Sequence, residues 1–153
     1  MLTLRGHHLI CLVAFGGQGY SAKFSRNFKK LQKLYLHKPH YKVKVITAPD
    51  QACRQCPHLV QNKCTSLTDG PNARIMALDK KALKLLGIQA GIQTIGAIHQ
   101  KLRQLKKISL ISFCKNCSWH TKTHCPEVIM GWINPNFALA KFARRADRPV
   151  PCD

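Results

Sequence analysis

The sequence predicts a small, compact α+β domain, mainly helical, with one or two short strands and two Cys-rich loops. Three observations predict it. Phe24, Phe28, Leu31 and Tyr35 recur at helical spacing, an apolar stripe on an otherwise basic segment. Tyr41 to Thr47 (YKVKVIT) alternates basic with β-branched residues, the pattern of a half-exposed strand. CRQCPHLVQNKC (Cys53 to Cys64) and CKNCSWHTKTHC (Cys114 to Cys125) share one spacing, C-x2-C-x7-C. Each places a basic residue after its first cysteine, Arg54 or Lys115.

Taken in order, residues 9–15 form a short buried helix led in by His7 and His8. The run Gly16-Gly17-Gln18-Gly19 breaks it, because glycine accepts turn conformations that other residues resist. Ser21 caps a helix over 22–36, whose other side carries Lys23, Arg26, Lys30 and Lys33. Pro39 ends that region, and Pro49-Asp50 turns the strand into the first cysteine group. Residues 74–78 read as a second short strand. Asp79 reads as the cap of a helix over 80–86, stopped by Gly87. Thr94 caps another helix, with Ile95, Ile98, Leu102 and Leu105 on one face and Lys101, Arg103, Lys106 and Lys107 around it. Residues 108–113 are apolar and β-rich. Gly131, Pro135 and the basic end (Arg144, Arg145, Arg148) read as loosely packed. The expected organisation is a single Cys-rich metal-binding domain over 1–135 and a basic C-terminal tail over 136–153.

A chain of 153 residues with 45% apolar content suits one folded domain. Lys and Arg number 25 against 6 acids, a formal charge of +19. Such a field attracts nucleic acid, an anionic membrane or an acidic protein, and charge alone does not choose among them. The uninterrupted apolar run from Leu9 to Phe15 is far short of the ~20 residues that span a bilayer. Gly6-His7-His8 interrupts any signal-peptide reading of the start, so the expected location is cytoplasmic. Thiols there stay reduced, and the 8 cysteines point to metal or redox chemistry rather than structural disulfides.

Thiolates suit soft and borderline metals, whether zinc or an iron–sulfur cluster. A basic residue beside each group offsets thiolate charge. The first ligand candidates are Cys53, Cys56, Cys114 and Cys117, which fill one four-thiolate site. They leave Cys64 and Cys125 unexplained. Read as two triples, each site lacks one ligand, which Cys11 supplies for one of them. Cys152, His58, His120 and His124 are further candidates, and Trp119 reads as shielding or core. His7 and His8, adjacent at a helix start, are expected to face different ways, one of them toward the metal. Arg5 is expected to pair with a carboxylate such as Asp50, or to approach a sulfur.

The stretch LRGHHLIC (Leu4 to Cys11), then GQGYS (Gly17 to Ser21), Cys53 to Pro57, Asp79 to Gly87 and Cys114 to Cys117 together resemble the bacterial and archaeal family called domain of unknown function 1284. The resemblance covers about the first four-fifths of the chain. It implies an iron–sulfur cluster over zinc and names no reaction; among cluster types the expectation is 4Fe–4S. The leading expectation is therefore an iron–sulfur protein that transfers electrons to a redox partner protein, senses redox state or supports a cluster. The alternative is a structural zinc module of a basic nucleic-acid-binding protein. A third reading is a metalloenzyme with an open coordination position near His7 or His8.

Overall fold

Leu2–Arg5 opens the chain as a strand, β1, which the sequence reading did not anticipate. The computed structural model describes residues 1–66 and 72–134. The expected tail over 136–153, Pro135 and Cys152 lie outside the described residues. Four residues are too few to announce a strand by pattern, although Leu2 and Leu4 share a face and both are buried. β1 runs parallel to β2 (Lys42–Ile46), with Leu2 opposite Val43 and Leu4 opposite Val45. β2 in turn pairs antiparallel with β5 (Gly91–Thr94), giving the order β1-β2-β5. Lys42 and Lys44 face solvent while Val43 and Val45 are buried, as the alternation required.

The crossover between the parallel strands consists of two helices, α1 (His8–Ala14) and α2 (Ala22–His37). Leu9, Ile10, Leu12 and Val13 of α1 are all buried. Ser21 caps α2 by accepting the Phe24 amide at 3.1 Å, and Phe24, Phe28, Leu31 and Tyr35 form the buried stripe. Tyr35 is fully enclosed, and its hydroxyl donates to the Leu9 carbonyl at 3.0 Å, joining the two helices. Burial pushes the Tyr35 phenol up, so it stays a neutral donor.

Past the first cysteine group, α3 (Asn72–Leu86) replaces the short strand expected over 74–78. Ile75, Asp79, Ala82, Leu83 and Leu86 are buried at helical spacing, so the helical period prevails over the five-residue strand reading. Asp79 sits inside this helix and does not cap it. Gly87 does end it: at φ +63° it sends the Ile88 amide back to the Leu83 carbonyl at 3.1 Å. Thr94 caps α4 (Ile95–Arg103) by accepting the Ala97 amide, and Ile95, Ile98 and Leu102 are buried.

Residues 108–113 also form a helix, α5 (Lys107–Cys114). Leu110 and Phe113 are buried while Ile108 is 70% exposed, a three-residue spacing that a strand would not produce. After α6 (His120–Thr123) comes α7 (Cys125–Ile133). Gly131 is buried within α7, against the loose end expected there. α7 packs on both α1 and α5. The domain is thus mainly helical, with one three-stranded sheet and one small hairpin among the described residues. Among the described residues, no helix is long and apolar enough to cross a membrane.

Candidate metal centre

The two cysteine groups begin with the same backbone geometry. In the first, the Cys56 amide donates to the Cys53 carbonyl at 2.8 Å, and the Leu59 amide to the Cys56 carbonyl at 3.1 Å. In the second, Cys117 donates to Cys114 at 2.9 Å, and His120 to Cys117 at 3.0 Å. Two successive i to i+3 turns therefore follow each leading cysteine. The groups then diverge. The first continues into a hairpin of β3 (Leu59–Val60) and β4 (Lys63–Cys64), turned by Gln61 and Asn62 at φ +46° and +59°. The second enters α6, and Cys125 opens α7 after His124 at φ +49°.

The second group surrounds a cavity of about 310 Å³, which Cys11, Cys114, Cys117 and Cys125 all line. The four thiols arrive on α1, the end of α5, the loop beyond it and the start of α7. Cys53, Cys56 and Cys64 are not among the lining residues. They lie on the 3-10 turn Cys53–Gln55 and the adjoining hairpin. Tyr20 joins the two regions. Its ring meets His58 of the first group at 4.8 Å and Trp119 of the second at 5.4 Å, and its hydroxyl accepts the Trp119 indole N–H at 3.3 Å.

His7 and His8 line the same cavity, with ring centroids 4.3 Å apart. They do not take opposite faces, because two buried carboxylates steer both rings. His7 Nδ1 lies 2.7 Å from Asp79 Oδ1, and His8 Nδ1 lies 2.8 Å from Asp50 Oδ2. An ionised carboxylate only accepts, so each Nδ1 donates to its carboxylate, which fixes the orientation of both rings. Metal-ligating histidines are commonly oriented in this way.

Arg5 ties the two carboxylates together. Its guanidinium grips Asp79 through Nε at 3.0 Å and Nη2 at 2.8 Å, and its backbone amide donates to Asp50 at 2.8 Å. The side-chain partner is thus Asp79, where the sequence suggested Asp50. Arg5 Nη1 also lies 3.7 Å from Cys53 Sγ, the approach to sulfur that was expected. Gly6 permits this arrangement: a Cβ there would collide with the Asp79 carbonyl oxygen on α3.

Charge states follow from these contacts. Burial works against ionising Asp50, but His8 and the amides of Arg5 and Cys53 outweigh it and hold the carboxyl well below its usual range. Burial likewise opposes ionisation of Asp79, and the bonds from His7 and Arg5 prevail. Burial, followed by the nearby His8, lowers His7 to about 4. Burial and the Asp50 charge push Cys53 up to about 12. Burial, then Cys125 and Cys117, push Cys114 up to about 12.

Among the described residues, one set of three His, Cys or acidic donors lies within 4.8 Å of one another: His8, Asp50 and Cys53. These three could hold an ion, but Asp50 already accepts from His8, Arg5, Ala52 and Cys53. Its oxygens are saturated, which makes this set a positioning network first. The four cavity thiols fall outside that close set. A tetrahedral zinc with bonds near 2.3 Å would draw its sulfurs to about 3.8 Å from one another.

The family model described as a protein of unknown function (DUF1284) matches residues 19–123, more than half of the chain. The chain belongs to the DUF1284 family. No curated protein and no solved structure matches it. The DUF1284 match takes in Tyr20, both C-x-x-C turns and Asp79, whereas Arg5, His7, His8, Cys11 and Cys125 lie outside it. Asp79 is the participant that sequence reasoning missed. Its signal was present in the Asp79-to-Gly87 motif but was read as a helix cap.

Proposed function

We propose that this protein binds an iron–sulfur cluster, of the 4Fe–4S type, through Cys11, Cys114, Cys117 and Cys125. One observation carries the reading: four thiols from separate segments line a single cavity. The donor set fits such a cluster, which takes four cysteine thiolates. The separation of these thiols favours a polynuclear centre over one ion, because they are absent from the close-spaced donor set. Such a group supplies one-electron chemistry when bound, and electron exchange calls for a redox partner protein.

The chain's own residues set the surroundings. Trp119, Phe24 and Phe28 wall the cavity with apolar surface and restrict water. Arg5, Asp50 and Asp79 fix the His7 and His8 rings, which line the same cavity as the thiols. Cys53, Cys56 and Cys64 form a second, three-thiol group that Arg5 approaches.

Anaerobic purification tests the reading. A brown protein with broad absorption near ~400 nm, holding iron and acid-labile sulfide in equal amounts, is the expected result. A colourless protein with one stoichiometric zinc would overturn it.

A further inference from the structure

The outer face of α2 carries Lys23, Arg26, Lys29, Lys30 and Lys33, all exposed, and the helix contains no acid. These five cations form like-charged i,i+3 and i,i+4 pairs: Lys23 with Arg26, Arg26 with Lys29 and Lys30, and Lys33 with Lys29 and Lys30. Each such pair destabilises an isolated helix. A helix face that only has to be solvated mixes its signs; this one does not. Nor do carboxylates elsewhere among the described residues relieve it. Asp50 and Asp79 are buried in the Arg5 network, and Glu127 pairs with Lys107 at 3.4 Å. Among the described residues, none of the five cations makes an ion pair. From Lys23 to Lys33 the stripe extends about 15 Å along the helix axis. The apolar stripe on the opposite side holds α2 rigidly on the core.

We propose that this face of α2 binds nucleic acid through the phosphate backbone. A rigid row of cations with no ion pair among the described residues matches a polyanion of regularly repeated charge, and its self-repulsion is relieved when phosphates replace the counterions. The row offers no exposed aromatic ring for base stacking and no Asn, so recognition is of the backbone rather than of sequence. Single strands and duplexes share this chemistry.

The test uses the full chain, purified without air, and fluorescein-labelled oligo(dT), oligo(rU) and a short DNA duplex, with anisotropy followed from about 50 to 200 mM salt. Five contacts predict a log–log salt slope near −3.5 for single strands and −4.5 for the duplex. A variant carrying Arg26→Gln, Lys29→Gln, Lys30→Gln and Lys33→Gln should bind at least about tenfold more weakly, with a slope shallower by about three. Glutamine keeps helix propensity, so circular dichroism should be unchanged. The control carries Lys63→Gln, Lys84→Gln, Lys101→Gln and Lys106→Gln, losing the same charge from exposed sites elsewhere; it should bind nearly as the parent does. Equal weakening of both variants would overturn the proposal in favour of bulk charge, and absence of binding at the lowest salt would remove it. Phosphatidylserine vesicles that bind through α2 while oligonucleotides do not would reassign the face to membranes. The visible spectrum, recorded on the same samples, reports the metal centre separately.

Discussion

Trp119 donates its indole N–H to the Tyr20 hydroxyl at 3.3 Å, a bond that spans 99 positions of sequence. It fastens the second Cys-rich loop to the entry of α2, and the same Tyr20 ring rests on His58 of the first loop. Tyr20→Phe keeps the ring and removes the acceptor. The expected loss is about 0.5–1.5 kcal/mol in urea unfolding, with red-shifted Trp fluorescence as the indole gains water. Unchanged emission would mean that ring packing alone holds the loop.

Arg5 and Asp79 form a buried pair, exposed by 1% and 0%. Asp79→Ala would strand the guanidinium without its anion and release His7. A loss of about 3–5 kcal/mol is expected. Arg5→Met combined with Asp79→Leu should recover part of it, since an apolar pair leaves no buried charge. A double variant no better than Asp79→Ala in chemical denaturation would count against the ion pair as the cause.

Much of this domain was legible because its signals are local. The Ser21 and Thr94 caps and the Phe24-to-Tyr35 stripe each follow from neighbours in sequence. The strand β5 was not legible: Ile92 is 61% exposed and Gly91 sits at φ +137°, so tertiary pairing with β2 decides it. The helix α5 was left unassigned because an apolar, β-rich run this short satisfies either period. At the candidate site, cysteine spacing identified the thiols but not how they group. That grouping depends on α1 packing against α7, a contact between distant segments that spacing cannot encode.

Acid should destabilise the fold in two stages. His7 and His99 are both lowered to about 4, His99 by burial and then by Arg103. Their unfolded forms take up protons near pH 6.5, before the folded forms do, so stability falls as pH drops from about 7 toward 4. Asp50 and Asp79 lie below their usual range when folded, so their contribution, complete above about pH 4, is lost at lower pH. Urea midpoints at pH 7, 5.5 and 4 should fall steadily. A flat profile between pH 7 and 5 would show that neither histidine is held neutral.

The last prediction concerns which thiols act together. Cys11 lies three residues beyond His8 on α1 and lines the cavity with Cys114, Cys117 and Cys125. Cys64 lies on β4, opposite Leu59 in the hairpin. If the cavity holds the cluster, serine at Cys11, Cys117 or Cys125 should each remove most of the iron and sulfide from protein kept without air, because a hard hydroxyl is a poor substitute for thiolate. Cys64→Ser should retain both. The converse pattern, with iron lost at Cys64 and kept at Cys11, would move the centre to the first loop. Equal loss at all four would mean that both groups serve one centre. Circular dichroism on each variant separates lost ligation from lost folding, since Cys11 and Cys125 are only partly buried and a change of sulfur to oxygen there leaves the surrounding core intact.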